Sequence, residues 1–180
     1  MQVYLQKHAS SHAHHTVKII WQRVGREVSI EYAVQKRDGS PWLSDPVYGS
    51  DWSKNWGLWN KDVVEAFLQL RSTPDDLNAP YLEIQVSPAN QPFALIIREP
   101  RKVFHAPAVL DFKTEALVEG RGLKGTMTVT LPEELQGDLL YGGFFSCLST
   151  EPREFYALEP NPEASPDFHR PELFISLDEQ

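Results

Sequence analysis

Residues 55–70 read NWGLWNKDVVEAFLQL, and their second half alternates sharply. Val63, Glu65, Phe67 and Gln69 fall on one face of an extended chain; Asp62, Val64, Ala66, Leu68 and Leu70 fall on the other. A period of two with β-branched and aromatic members predicts a strand over 62–70. The first half places Trp56 and Trp59 around Gly57 at a turn. Glu65 stands between Val63 and Phe67. Burying a carboxylate among such neighbours is costly unless it is paired or faces a wet cleft. The strand therefore carries either a buried polar pair or one wall of a pocket with tryptophans at its mouth. An indole face stacks on the apolar face of a sugar ring, and a carboxylate accepts from its hydroxyls. The plainer reading of the same residues is core tryptophan and a solvated strand glutamate.

Working outward, the same alternation recurs. VKIIWQRV (17–24) and EVSIEYAVQ (27–35) form a hairpin across Gly25-Arg26. YLEIQVS (81–87) and PFALIIR (92–98) extend the 62–70 strand into a meander with short connections. Residues 109–118 and 123–131 pair across Glu119-Gly120-Arg121-Gly122, and Pro132 to Leu135 suits one helical turn. Segments 139–149, 153–158 and 173–177 complete the set, the last two separated by a proline-rich loop. About ten short strands with frequent turn signals and no long helix predict an all-β antiparallel sandwich. No internal repeat or domain boundary is visible, so 16–180 reads as one domain behind a flexible, His-rich terminus at 1–15. The loop from Ser40 to Lys54 adds Trp42 and Trp52 to the aromatic content of this region.

The totals exclude several classes. A net charge of −8 and a pI near 5.2 argue against a nucleic-acid surface and against anionic membranes. No apolar run approaches a membrane span, and Met1 to His15 has no apolar core of a signal peptide, so the expected setting is cytoplasmic. The single cysteine, Cys147, lies in the apolar run GGFFSCL and reads as a small buried hydrophobe. No nucleophile elbow, phosphate loop or metal-protease motif is present, and no cofactor is implied.

Three blocks in order, GLWNKDVVEAFL (57–68), YLEIQVSPANQPFAL (81–95) and FYALEPNPEASPDFHRPELF (155–174), resemble the DOMON-like proteins related to family 9 carbohydrate-binding modules. The similarity runs from about residue 15 to 177. It implies a β-sandwich of jelly-roll or immunoglobulin-like character in which aromatic side chains sandwich a sugar. On that resemblance Trp59 is a stacking face and Glu65, six positions on, is the hydroxyl acceptor. The chain departs from the pattern in two places. No second tryptophan occurs late, so Tyr156, Phe168 or His169 takes its place, and Glu83 stands near where the sugar binders carry an arginine. Relatives of DOMON type hold haem through Met and His, and Met127 is the only internal Met available for that role.

Other chemistry is weighed beside this. His8, His12, His14 and His15 have spacings that suit a metal ion or, more plainly, a solvated terminus. Asp167-Phe168-His169 suits an acid–base dyad or, more plainly, a capping hydrogen bond that pins the proline-rich loop. Asp62, Asp75 and Asp76 are candidates for structural calcium, although no EF-hand loop is present. Glu65 and Glu83 on adjacent strands invite comparison with a glycosidase pair. The expectation is a non-catalytic domain that binds a saccharide or other small polar ligand at Trp56, Trp59, Glu65 and Glu83. Arg98 and Arg101 are further donors to that ligand. The alternative is an interaction or scaffold domain that docks through its tryptophan loop. The sequence carries no signal for an oligomeric state.

Overall fold

A computed structural model describes residues 1–12, 14–44, 55–148 and 152–178. Among the described residues thirteen strands are formed in order: β1 (Gln2–Tyr4), β2 (Gln6–Lys7), β3 (Thr16–Val24), β4 (Glu27–Gln35), β5 (Val63–Arg71), β6 (Tyr81–Val86) and β7 (Pro92–Glu99). They continue as β8 (Val103–His105), β9 (Phe112–Glu119), β10 (Gly122–Thr130), β11 (Leu139–Leu148), β12 (Glu154–Ala157) and β13 (Ile175–Ser176). One sheet has the order β1-β3-β4-β10-β9; the other runs β2-β12-β11-β5-β6-β7-β8, with β13 beside β11. Every pairing is antiparallel. Among the described residues the helical elements are two 3-10 turns, Leu58–Asn60 and Pro171–Leu173, and no helix is long and apolar enough to cross a membrane. Residues 132–135 form one hydrogen-bonded turn, with Leu135 N–H donating to the Pro132 carbonyl at 3.0 Å.

The expected hairpins and the β5-β6-β7 meander are present. The main core lies between the sheets. It takes Val64, Ala66, Leu68 and Leu70 from β5 together with Val17, Ile19 and Trp21 from β3 and Val28, Ile30 and Val34 from β4. Trp21 adds an anchor, donating its indole N–H to the Leu177 carbonyl at 3.0 Å. Met127 is fully buried in this core, which leaves it unsuited to the haem role. A second apolar cluster on the opposite face of the same sheet includes Val63, Phe67, Tyr81, Phe93 and Phe145. Strand β5 is consequently buried along its whole length, on both faces. Its alternation sorts residues between two interiors, not between core and solvent.

The amino-terminal segment departs from expectation. β1 pairs with β3 and β2 with β12, so residues 2–7 touch both sheets. Leu5, His8, Ser11 and His15 are buried. Leu5 N–H donates to Val17 O at 2.9 Å and His8 N–H to Phe155 O at 2.9 Å. His12 N–H donates to the Glu154 carboxylate at 2.7 Å. Two edge strands offered unpaired carbonyls and amides, and this short segment satisfies them. The polar composition hid that role, because main-chain pairing leaves no periodic signature. His8 and His15 turn inward separately, and no group of three or more metal-ligating side chains converges among the described residues. Removing residues 1–12 is expected to cost about 2 kcal/mol, a fall in Tm of roughly 4–8 °C by calorimetry. An unchanged Tm would show that the segment contributes nothing to the fold.

The start of β5 is fixed by an ion pair with no solvent exposure on either side chain, Lys36 Nζ to Asp62 Oδ2 at 3.0 Å. Asp62 Oδ2 also accepts from Leu43 N–H at 2.8 Å, while Lys36 Nζ donates to Pro41 O at 2.8 Å and lies 5.0 Å from the Trp42 ring centre. Asp62 therefore holds a lysine, which corrects its candidacy for calcium. Asp75 and Asp76 follow the far end of the same nine-residue strand.

Candidate functional site

The outer face of the longer sheet carries the site. Register sets Glu65 directly opposite Gln85, and Phe67 opposite Glu83. On the next strand Phe93 opposes Gln85 and Leu95 opposes Glu83. Glu65, Glu83, Gln85, Leu95 and Ile97, with Cys147 from β11, become the floor of a cavity of about 400 Å³. That size lies in the usual range for small-ligand pockets. The walls come from four segments: Trp56, Trp59 and Asn60; Arg101 and Phe104; Arg153 and Phe155; and Asp167, Phe168 and His169.

One wall is aromatic and partly open. Gly57 adopts φ 84°, a left-handed conformation that lets the chain turn between the two indoles. Trp56 and Trp59 meet edge to face at 5.0 Å, and Trp56 stacks on Phe104 at 5.6 Å. Trp56 remains 60% exposed. Trp59 packs 5.6 Å from Phe93. The turn is held from below by Arg153, which donates to the carbonyls of Trp59, of Asn60 at 3.2 Å and of Lys61 at 2.9 Å. Asn55 adds a bond to Pro92 O at 2.7 Å. Across the cavity Phe168 stacks on Phe145 at 4.4 Å, with Phe155 edge-on to it at 6.2 Å.

The floor is acidic. Glu65 is 2% exposed, and among the described residues its carboxylate forms no hydrogen bond or ion pair. Burial, reinforced by Glu83 and opposed by Arg153, pushes its pKa up to about 8. Burial pushes Glu83 up to about 7, although Gln85 Nε2 donates to its Oε1 at 2.6 Å and favours the ionised form. That bond uses the amide of Gln85 and leaves its Oε1 buried without a partner. His169 stacks on Phe67 at 5.0 Å, with Nδ1 2.7 Å from the Tyr81 hydroxyl and Nε2 4.0 Å from Glu83 Oε2. Burial, aided by Arg101, lowers its pKa to about 4, so the ring is neutral near pH 7. Burial raises the Tyr81 phenol far above its ordinary range, and it stays protonated. Arg101 pairs with Asp167. Asp167 Oδ1 accepts from the His169 backbone N–H at 3.1 Å, and Asp167 N–H donates to Asn161 Oδ1 at 3.0 Å. The Asp-Phe-His segment is thus pinned by capping bonds, with no contact between the Asp167 carboxylate and the imidazole nitrogens as an acid–base dyad requires. Cys147 is buried, and burial raises its thiol pKa, which favours the uncharged thiol.

Seven residues expected at the site line the cavity together: Trp56, Trp59, Glu65, Glu83, Arg101, Phe168 and His169. Two do not. Arg98 belongs with Ala94 and Ile96 on the opposite face of β7 and forms an exposed ion pair with Glu134 at 3.0 Å. Tyr156 points into the core between the sheets, where its hydroxyl accepts from His15 N–H at 2.8 Å. Its neighbour Phe155 faces the cavity instead, because successive strand residues point oppositely. The face of Tyr81, Glu83 and Gln85 is buried. Gln85, Phe104, Arg153, Phe155 and Asp167 join the site without having been singled out as ligands. For Gln85 the signal was present, since it shares the face of Glu83 two positions away. For Arg153 and Phe104 the chain gives none, because their placement depends on how distant loops fold over the sheet. Trp42 packs partly buried against the main core, away from the cavity, and Trp52 lies outside the described residues.

The fold is similar to that of solved family 9 carbohydrate-binding modules. A solved module of that family from Caldicellulosiruptor kristjanssonii, in complex with cellotriose, superposes with a TM-score of 0.63 at 15% identity, covering 97% of this chain and 79% of that one. Its complex with glucose gives 0.59 at 16% identity, covering 96% and 82%. At such identities the likeness is one of fold. In sequence the chain is similar to the UPF0462 protein C4orf33 homolog of Mus musculus, 28% identical over 152 residues, which span 80% of this chain and 76% of the relative. No protein-family model matches the chain.

Proposed function

We propose that the protein binds a saccharide in this cavity without transforming it. The observation that carries the reading is the floor of Glu65, Glu83 and the unpartnered Gln85 carbonyl beneath an aromatic wall. Indole and phenyl faces take up the apolar face of a pyranose, and the three acceptors take its hydroxyl hydrogens. The fold shared with modules solved in complex with cellotriose and glucose supports it. The glycosidase alternative is disfavoured by electrostatics. Acid and base roles need two carboxyls whose environments drive them apart. Here burial drives both in the same direction, to about 8 and about 7.

Titration of tryptophan fluorescence with mono- and oligosaccharides tests the reading. Trp59→Ala is expected to weaken binding about tenfold, the equivalent of one lost aromatic stacking contact. An unchanged affinity would remove Trp59 from the site. A second reading, a protein-docking surface, draws on the exposed run of Trp56, Val103 and Phe104 at the β8 edge. Analytical ultracentrifugation addresses it: self-association lost in a Trp56→Ala, Phe104→Ala variant would favour docking, and a strict monomer would favour the cavity.

A further inference from the structure

Within the saccharide reading, on which this rests, the floor of the cavity distinguishes between kinds of saccharide. A hydroxyl is one donor and also an acceptor, whereas a primary ammonium is three donors and no acceptor. Several of the protein's own donors at this site are already committed. Arg153 serves three backbone carbonyls, Arg101 serves Asp167, and the Gln85 amide serves Glu83. The acceptors are not. Gln85 Oε1 is buried and unpartnered, and Glu65, directly across the strand pair from it, forms no hydrogen bond among the described residues. Glu83 lies on the same face two residues along, with Oε2 4.0 Å from the neutral His169 ring. Among the described residues the hydrogen bond that reaches this set from the chain is that of Gln85 Nε2 to Glu83 Oε1.

Charge points the same way. In the empty cavity burial holds Glu65 protonated near pH 7, but in the ionised form that a bound cation favours, the carboxylates of Glu65, Glu83 and Asp167 outnumber the two guanidiniums, on Arg101 and Arg153. Among the described residues the other titratable groups packed against the cavity, Tyr81, Cys147 and His169, are neutral near pH 7. Above the floor, aromatic faces from Trp56, Trp59 and Phe104 attract a cation through their ring quadrupoles. A ligand cation would complete both the hydrogen bonding and the charge balance, which a neutral polyol does only in part.

We propose that the ligand carries a primary ammonium group held by Glu65, Gln85 Oε1 and Glu83, which makes it an amino sugar. Isothermal titration at pH 6.5 with three probes sharing one ring tests this: glucosamine, glucose and N-acetylglucosamine. Glucosamine is expected to bind at least about tenfold more tightly than either neutral sugar, a margin that one charge-assisted contact provides. Its binding should release about one proton, seen as heat that varies with the buffer, because a cation favours the ionised carboxylate. Glu65→Gln should remove both the preference and the proton release.

Equal affinities for glucosamine and glucose would overturn the amine while leaving the saccharide reading intact. Tight binding of cyclohexylamine with no binding of glucose would keep the ammonium site and overturn the saccharide. Absence of binding for all four compounds would overturn both.

Discussion

Glu65→Gln is expected to stabilise the protein at pH 8.5 by on the order of 3–4 kcal/mol while weakening ligand binding. The sign follows from the direction of the shift. In the unfolded chain the carboxyl ionises near its ordinary value of 4.5; in the folded protein it holds its proton to about pH 8. Below pH 4.5 both states are protonated and the group contributes no penalty. Between pH 4.5 and 8 the unfolded state gives up its proton and the folded state does not, so stability falls as pH rises. Above about pH 8 the full cost is present, and the amide, which cannot ionise, avoids it. Glu83 adds a smaller contribution of the same sign, ending near pH 7. Urea denaturation of the wild type and the variant at pH 5 and pH 8.5 measures it. The difference between the two proteins should be small at pH 5 and large at pH 8.5. Equal differences at both values would mean that the Glu65 carboxylate is as well solvated in the folded protein as in the unfolded one. A residue that destabilises the empty protein and is retained at the bottom of a cavity is the usual signature of a binding group, in which stability and function oppose each other.

Asp62→Ala is the second large effect. It leaves the Lys36 ammonium buried with one backbone carbonyl in place of a carboxylate. Breaking one side of a fully buried pair costs about 3–5 kcal/mol, whereas replacing both partners with apolar side chains of similar size is often neutral. The double variant Lys36→Met, Asp62→Leu should therefore recover most of the loss, measured by the same denaturation series. If the single variant lost under about 1 kcal/mol, the pair would be behaving as a surface ion pair. The effect should reach the site as well. Asp62 lies next to Lys61, whose carbonyl is held by Arg153 together with that of Trp59. Releasing the start of β5 should loosen the tryptophan turn and shift its fluorescence to the red.

These two residues stand three positions apart, one just before β5 and one on it, and do opposite things. Asp62 is buried and paired, and it fixes the strand; Glu65 is buried and, among the described residues, forms no hydrogen bond or ion pair. Valine adjoins each of them, Val63 after Asp62 and Val64 before Glu65. The difference comes from what other parts of the chain bring to each: a lysine from the end of β4 to one, and a cavity to the other.

By itself the sequence determined the β-sandwich, the hairpins, the β5-β6-β7 meander and the choice of Trp56, Trp59, Glu65 and Glu83 as neighbours in space. These follow from a two-residue period and from turn residues, which act over a few positions and survive in the linear chain. Only the tertiary structure decided the rest. Strand register set Gln85 against Glu65, and the segments at 101–104 and 153–169 supplied walls over that face. Alternation directs adjacent residues to opposite sides without saying which side each distant segment will cover, so Tyr156 and Arg98 were exchanged for Phe155 and Arg153. The amino-terminal strands were hidden for a related reason. Their hold on the fold is made by backbone amides and carbonyls, which every residue carries and no side-chain pattern announces.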